Sequence, residues 1–188
     1  MTSATSADVE LLAAVAREDE AALEMLHARH APALFRFIHR LVDNAVDAED
    51  IVLATFYDVW RNASRFEARS SVRTWLFGIA RHKALDVLRA RDRLELVDDD
   101  QAVADVVDPE PTPLERLLAR QESHRLSDCV DALPELQREA FWLHVVDGLK
   151  LREIASLLGV PENTVATRVH HSKHRLRDCL SGAGTRRA

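Results

Sequence analysis

The chain has 188 residues, a formal net charge of −6 and 47% hydrophobic residues, which suffices for one or two packed domains. Only five glycines and little alternation of β-branched residues argue against sheets, so we predict an all-α fold. No apolar run is long enough to cross a bilayer and no signal-peptide pattern opens the chain, which predicts a cytoplasmic protein without a membrane span.

Charge is distributed unevenly along the sequence. Residues 61–93 contain nine Arg or Lys and three acids, and residues 150–188 contain eight Arg or Lys and three acids. Between them, residues 94–115 contain eight acids, no Lys or Arg, and three prolines at alternate positions. Such prolines exclude a helix, and uncompensated carboxylates repel one another into an extended form. We therefore predict helical domains at 7–93 and 114–181, an acidic linker at 94–113 and a flexible tail at 182–188.

The first domain opens with two predicted helices. The first has about three turns, starts near Pro32, which a first helical turn tolerates, and ends at Asp43-Asn44. Asp47 is expected to cap the second helix, with further acids favouring its positive end. The predicted apolar stripes are Leu34, Ile38, Leu41 and Val42 in the first helix and Val52, Thr55, Phe56 and Val59 in the second.

A polar and basic segment, 62–70, follows without helical periodicity. After it, Ser70 or Ser71 caps a long amphipathic helix. Two tryptophans, Trp60 and Trp75, stand at helical spacing and are predicted to be core residues in preference to platforms for bases. The stripe of the long helix is Val72, Leu76, Ile79, Ala80, Ala84 and Val87.

Residues 133–180 have the layout of a helix-turn-helix. A short helix with apolar residues at i, i+3, i+4 and i+7 is followed by Gly159 and Pro161, which supply a stop and a restart. The last helix has a predicted packing face and an opposite polar face that suits a DNA major groove. The short helix carries Leu151, Ile154, Ala155 and Leu158; the packing face is Val165, Val169, Ser172, Leu176 and Leu180; the polar face is Asn163, Thr167, His170, His171 and His174.

Cysteine and histidine patterns raise two alternatives to DNA binding. Cys129 and Cys179 lie far apart without a CxxC spacing, so we predict reduced, partly buried thiols instead of a disulfide or a zinc site. His170 and His174 have a spacing that can hold zinc, with His171 alongside. A site also needs a third ligand, and we expect no suitably placed carboxylate or cysteine nearby, so DNA contact is preferred and no metal or other cofactor is expected.

Two sets of residues, in the same order and with similar spacing, resemble the extracytoplasmic-function (ECF) sigma factors of the sigma-70 family. The first set is similar to region 2 of that family and the second to region 4. The first comprises Ala48-Glu49-Asp50-Ile51-Val52, Thr55-Phe56, Val59-Trp60, residues 73–81 and Lys83-Ala84-Leu85-Asp86; the second comprises residues 133–138, Gly148-Leu149, Glu153-Ile154-Ala155, residues 158–161, Thr164-Val165 and Arg168-Val169-His170.

The resemblance implies that the first domain binds core RNA polymerase and the melted minus-10 strand, and that the second binds minus-35 duplex. A basic loop with an aromatic residue offers charge and a stacking surface to a single strand, and Phe66 is the leading stacking residue. The implied minus-10 residues are Asn62, Arg65, Phe66, Arg69, Ser70, Arg73, His82 and Lys83; the minus-35 residues are Arg152, Asn163, Thr164, Thr167, Arg168, His170, His171, Lys173 and His174; the polymerase-binding residues are Asp47, Glu49 and Asp50. Capping of the helix start explains the presence of Asp47, Glu49 and Asp50 equally well.

The chain departs from the family pattern at several positions. Leu53-Ala54 stands where members often carry Gln-Glu or Gln-Asp, which moves a polar part of the expected polymerase contact. His82 replaces a common Asn and Ala166 a frequent Lys or Arg, so base preference is not carried over from relatives. The resemblance also implies an anti-sigma protein as a regulatory partner.

Three functions of different classes follow from these patterns. The favoured one is a dissociable initiation factor that joins polymerase. A DNA-binding regulator acting without polymerase needs only the second domain. An enzyme is the third, but the sequence has no nucleophile elbow, phosphate-cradling glycine loop or pocket-forming pair of carboxylates, so we expect no catalytic residues.

Overall fold

The computed structural model describes residues 3–94 and 125–181, with side chains described over 6–91 and 125–181. Within these two ranges the chain forms helices and turns and no strand, which confirms the predicted all-α class. Two compact units are distinguished, one within residues 1–104 and the other within 105–188. The predicted acidic linker and the flexible tail lie outside the described residues.

The first unit is a helical bundle in which α2 packs against all three other long helices. Its elements are α1 (Ser3–Val15), α2 (Glu20–Val42), α3 (Ala45–Asn62), a 3-10 turn (Ala63–Arg65) and α4 (Val72–Leu94).

The core of this bundle follows the predicted stripes closely. All four stripe residues of α3 are buried, as are three of the four predicted in α2, and Leu41 is half-buried. In α4, Ile79 and Val87 are half-buried, whereas the fully buried Phe77, absent from the predicted stripe, packs on Phe37 with ring centroids 4.9 Å apart.

The helix predicted to start at Pro32 is about twice as long as expected. In the structure α2 runs over 23 residues and holds Pro32 in its interior. A proline there removes one backbone hydrogen bond, but the residues on both sides of it, from Leu26 to Val42, contribute to the buried core and keep the helix continuous. The predicted end is confirmed, because Asp43 adopts a left-handed conformation with φ of 51°.

The cap of α3 was assigned to the wrong residue. Asn44 is the N-cap, and its side-chain oxygen accepts a hydrogen bond from the Asp47 backbone N–H at 3.0 Å. Asp47 lies in the first turn, and its carboxylate instead pairs with the Arg91 guanidinium from α4. Arg91 also donates to the Val42 carbonyl at 2.7 Å, so it ties the end of α2 and the start of α3 to α4. The other predicted cap is confirmed at Ser71, whose Oγ accepts from the Thr74 N–H.

A buried polar cluster fastens α1 to α2. The Asp8 carboxylate accepts from the Arg29 guanidinium and lies 3.0 Å from Nε2 of His30, which is itself buried. Burial lowers the pKa of His30 below its ordinary value of 6.5, although the neighbouring Asp8 carboxylate acts in the opposite direction; Arg73 and Arg29 reinforce the lowering. The folded unit therefore favours a neutral imidazole that donates Nε2–H to Asp8.

We expect the first unit to lose stability as the pH falls below about 6.5. Below that pH, His30 takes up a proton more readily in the unfolded chain than in the folded one. Protonation therefore stabilises the unfolded state relative to the folded state. Thermal melting of the protein at about pH 7.5 and about pH 5.5 measures this loss. The His30→Gln variant cannot titrate and is expected to show a smaller pH dependence; an unchanged dependence would contradict the assignment.

The second unit contains the predicted helix-turn-helix. Its elements are α5 (helical residues 125–131), α6 (Glu135–Phe141), a π-helical turn (Trp142–Val146), α7 (Leu151–Leu158) and α8 (Glu162–Leu180). A cluster of buried residues from α5, α8 and the α5–α6 turn, with two aromatic residues packed against it, forms part of the core: Cys129, Val130, Leu133, Leu176, Phe141 and Trp142.

The prediction of reduced thiols is wrong in this structure. Cys129 and Cys179 form a disulfide with a Cα–Cα distance of 5.9 Å that joins α5 to the last turn of α8. A sequence separation of 50 residues carries no information about proximity. The antiparallel return of α8 onto α5, set by the core, brings the two cysteines together.

Candidate nucleic-acid interface

The turn between α7 and α8 is built as the sequence predicts. Gly159 ends α7 in the left-handed conformation with φ of 67°, and its N–H donates to the Ala155 carbonyl. Pro161 then occupies the N-cap position of α8. At the other end of α7, the Glu153 side chain accepts from the Lys150 N–H at 2.8 Å. The short helix is thus fixed at both ends, which sets the direction in which α8 leaves it.

We expect Gly159→Ala to destabilise the second unit by about 1–2 kcal/mol, the cost of a left-handed conformation with a side chain. No atom lies within 4 Å of the added Cβ, so backbone strain alone accounts for the loss. Urea unfolding measures it. The matched control is Gly78→Ala, where φ is not positive and the Cβ also meets no atom within 4 Å; equal losses in both variants would contradict this reason.

Helix α8 presents one packed and one exposed face. Val165, Val169, Ser172 and Leu176 are buried, which confirms four of the five predicted packing residues. The fifth, Leu180, is 41% exposed and lies one turn beyond Leu176, the last buried residue of α8. Buried Ser172 is accommodated because its Oγ donates to the Val169 carbonyl at 2.8 Å.

The opposite face of α8 is open along its length. The five residues predicted there are all exposed, as are Arg152 and Lys173, whereas Thr164 and Arg168 are half-buried. Thr167 donates to the Asn163 carbonyl at 2.9 Å, which fixes its side chain. The exposed residues of the predicted polar face are Asn163, Thr167, His170, His171 and His174.

The histidines of this face have a carboxylate neighbour that we did not expect. Nδ1 of His174 lies 2.9 Å from an Asp178 oxygen one turn further along, while His170 and His171 have ring centroids 5.9 Å apart. The Asp178 carboxylate therefore pairs with one imidazole of this face. In the described part of the chain, no group of three or more His, Cys, Asp or Glu is arranged to hold a metal ion.

In the first unit, the predicted minus-10 residues surround the turn between α3 and α4. The 62–70 segment is partly helical, because Asn62 ends α3 and a 3-10 turn follows. The Asn62 side-chain amide donates to the Asp58 carbonyl at 3.1 Å, and Lys83 pairs with the Asp58 carboxylate at 2.7 Å. The hydrogen bond lies within α3, and the ion pair joins the end of α3 to α4. Through Asp58, the two contacts bring two of the predicted contact residues near each other.

Aromatic rings of this region are partly exposed. Phe66 packs on Trp75 with ring centroids 5.3 Å apart, and both are half-buried. The prediction that Trp60 and Trp75 are core residues is wrong for both, since each is half-buried and lies outside the buried core. Phe66 and Trp75 together, instead of Phe66 alone, form the aromatic surface beside the basic loop.

The remaining loop residues differ in how firmly they are held. Arg65 is exposed, and Arg69 is exposed with an ion pair to Glu67 at 2.6 Å. The Arg73 guanidinium lies over the buried Phe77 ring, 5.5 Å from its centroid.

Two other predicted residues of this interface make local contacts. Exposed His82 lies 3.4 Å from the Asp86 carboxylate, and the Ser70 hydroxyl donates to the Ser71 carbonyl at 3.3 Å. The exposed guanidinium groups of this loop are therefore those of Arg65 and Arg69, whereas Arg73 is turned toward the bundle.

The acidic residues predicted to meet polymerase do not form one set. Glu49 and Asp50 are exposed on the first turns of α3, whereas Asp47 is half-buried and paired with Arg91. Leu53 and Tyr57 continue the exposed stripe of Glu49 at intervals of four residues. They also line a groove of about 590 Å³ between α2 and α3, which the sequence did not predict. The groove is lined by Glu20, Leu23, Glu24, His27, Leu53, Phe56, Tyr57 and Trp60.

Comparison with known proteins matches both units to one family. The family model of sigma-70 region 2 covers residues 26–94, and that of sigma-70 region 4 covers residues 123–176. The RNA polymerase sigma factor CarQ of Myxococcus xanthus is 33% identical over 159 residues, which span 85% of this chain and 89% of CarQ. The ECF RNA polymerase sigma factor RpoE of Cereibacter sphaeroides is 33% identical over 164 residues, 87% of this chain and 88% of the relative.

A solved structure, that of CnrH in complex with the cytosolic domain of CnrY, shares the fold with a TM-score of 0.65 and 25% identity, covering 94% of this chain and 98% of that one. A bundle that matches region 2 and a helix-turn-helix unit that matches region 4 define a sigma-70-type transcription initiation factor. The chain belongs to the ECF sigma factors, which confirms the resemblance seen in the sequence. None of its described helices has the length and apolar content that a membrane span requires.

Proposed function

We propose that the protein joins core RNA polymerase and directs it to specific promoters, with the second unit binding the minus-35 duplex and the first unit capturing the melted minus-10 strand. The observation that carries this function is the division of α8 into a buried apolar face and an exposed face of hydrogen-bonding side chains. A helix held in this way enters a major groove without disturbing its own packing.

The residues of α8 suit different parts of a duplex. The side-chain amide of Asn163, the guanidinium of Arg168 and the methyl group of Thr167 are of the kinds that suit the edges of adenine, guanine and thymine, respectively. The flanking positive residues bind phosphates and set the register without reading sequence. The proposed minus-35 contacts are Arg152, Asn163, Thr164, Thr167, Arg168, His170, His171, Lys173 and His174.

Strand capture is assigned to the α3–α4 turn. The half-exposed pair of Phe66 and Trp75 offers a surface for an unstacked base, and the exposed guanidinium groups of Arg65 and Arg69 lie on the same loop. Asn62, Ser70, Arg73, His82 and Lys83 complete the proposed set at its edges.

Polymerase binding is assigned to the exposed face of α3. Glu49 and Asp50 carry uncommitted carboxylates there, and charge complementarity with a basic partner surface speeds association. Asp47 has a smaller part in this contact, because its pair with Arg91 already holds its carboxylate. The contact continues along the apolar stripe of Leu53 and Tyr57, where the chain departs from the polar residues usual in relatives.

We further propose that an anti-sigma protein regulates this factor. The structural relative CnrH was solved in complex with the cytosolic domain of CnrY. The proposed polymerase-binding face contains exposed Leu53 and Tyr57 beside the α2–α3 groove, and a partner that covers it excludes polymerase. The factor itself needs no catalytic residues or cofactor for this function, since the polymerase performs the chemistry.

Run-off transcription with purified core polymerase on a pool of genomic fragments tests the function. Defined start sites that appear only with the protein are expected, and their upstream sequences give both promoter elements. A variant that lacks residues 1–93 separates the proposed function from that of a polymerase-independent regulator. If the shortened protein produced the same transcripts, the first unit would have no role in initiation.

A further inference from the structure

We infer that Cys129 and Cys179 form a redox modification site that controls how firmly the end of the recognition helix α8 is held. The two cysteines differ in exposure, because Cys129 is 6% exposed within the core cluster while Cys179 is exposed on the last turn of α8. A disulfide with one accessible sulfur can be attacked by a thiolate from solution. The buried sulfur is then the leaving group.

The location of the disulfide gives it influence over α8. Buried residues hold this helix from Val165 to Leu176. Beyond Leu176, two contacts among the described residues fasten the last turn to α5: the disulfide, and a hydrogen bond of 3.2 Å from the Arg125 guanidinium to the Leu180 carbonyl. An exposed hydrogen bond between a long side chain and a frayed helix end is weak, so the disulfide is the main restraint on this turn.

Reduction is a balanced thiol–disulfide exchange with a dithiol reductant. One thiolate of the reductant attacks Sγ of Cys179, the bond between the two cysteines breaks, and Cys129 leaves as a thiolate that takes up a proton. The second thiolate of the reductant then attacks the mixed disulfide and releases Cys179, and the reductant becomes a disulfide. Two electrons and two protons enter the protein, and a disulfide-containing oxidant reverses the reaction.

A factor that works with bacterial polymerase meets such reductants, because transcription takes place in a compartment that keeps thiols reduced. Disulfides in such compartments are usually transient and redox-sensing. Both the oxidised and the reduced states of this pair are thus chemically accessible to the protein.

The consequence for DNA rests on the proposed function of α8. Arg177 is exposed on the last turn of α8, beyond Leu176 and two residues before the disulfide-linked Cys179. A side chain on a rigid helical turn loses less conformational entropy on binding a phosphate than a side chain on a frayed turn. Oxidation therefore favours phosphate contacts at this end of α8, and reduction weakens them. The proposed base-contacting residues near Asn163 keep their positions in both states.

The test compares the full-length protein after mild oxidation and after dithiothreitol. Thiol titration is expected to find no free thiol in the first state and two in the second. Hydrogen exchange of amides 177–181 is expected to become faster on reduction, with amides 163–172 unchanged. Binding to a mixed-sequence DNA duplex is expected to weaken, and the slope of log affinity against log salt is expected to fall by about one.

Two variants complete the design. Cys179→Ser changes only the exposed partner and leaves the core cysteine in place, so it is expected to behave as the reduced protein and to ignore dithiothreitol. Ser181→Ala, two residues further on, is the matched control and keeps the full response. Free thiols after oxidation would overturn the inference, as would exchange and salt slope that are the same in both redox states.

The exchange measurement also separates this inference from the proposed function. If neither redox state bound DNA, the assignment of α8 to a duplex would fail. Exchange of amides 177–181 would still decide whether the disulfide holds the helix end: faster exchange on reduction supports that part, and unchanged exchange contradicts it.

Discussion

Replacement of Asn163, Thr167 and Arg168 together by alanine is expected to reduce promoter-specific run-off transcription by at least about a hundredfold. Each lost base contact costs about 1–3 kcal/mol, so two good contacts already account for that factor. Asn163 and Thr167 are exposed and Arg168 is half-buried beside the packed face, so the triple change leaves the four buried residues of α8 in place. Transcript yield at a promoter found in the genomic pool is the measurement.

Two controls distinguish lost recognition from lost folding. The triple variant is expected to keep its thermal melting temperature within a few degrees, because it changes no buried residue. Glu135→Gln, a change at an exposed position of the same unit, is expected to transcribe normally. If the triple variant folded normally and still supported full transcription, α8 would not be the reading element.

Truncation of Phe77 to alanine is expected to destabilise the first unit by about 3–5 kcal/mol. The side chain is 0% exposed and packs on Phe37 from α2, with the Arg73 guanidinium over its ring. Its removal leaves a cavity where α4 meets α2 and takes the supporting surface from Arg73. Because domains are stable by only about 5–15 kcal/mol, this loss removes a large share of the total. Urea unfolding measures the change in free energy.

Leu53→Ala is the matched control for this truncation. Leu53 is 68% exposed, so the same unfolding measurement is expected to change by no more than about 0.5 kcal/mol. This variant is also informative for function, because Leu53 lies on the proposed polymerase-binding face. Equal destabilisation by the two variants would contradict the core position of Phe77.

The helix-turn-helix was predictable because its signals are local. Apolar spacing fixes the packed face of α8, and a left-handed turn calls for a residue such as Gly159. Only the last residue of the predicted face, Leu180, was wrong, since periodicity alone does not show how far along α8 the packing extends.

Features that depend on tertiary contacts were not predictable in the same way. Proline usually marks a first turn, but packing on both sides of Pro32 carries α2 through it. Residue type alone favours Asp47 as the cap of α3. In the structure Asn44 caps this helix, and Arg91, 44 residues away in the sequence, binds the Asp47 carboxylate. The disulfide of Cys129 likewise depends on how α8 returns to α5.

The candidate site shows the same division. Residue types in α8 and in the basic loop indicate nucleic acid, because donors, cations and aromatic rings are what duplex and single strands bind. Their partners are not visible in the sequence: Lys83 is held by Asp58, and Phe66 by Trp75. The groove between α2 and α3 forms only when the two helices pack together, so the sequence of either helix alone does not predict it.

The most direct test of the central claim is binding of the purified full-length protein to bacterial core RNA polymerase at low to moderate salt, followed by gel filtration. A stable complex that then supports transcription from defined start sites is the predicted result. Absence of any complex under these mild conditions, with the protein shown to be folded, would contradict the assignment of this chain as a working initiation factor.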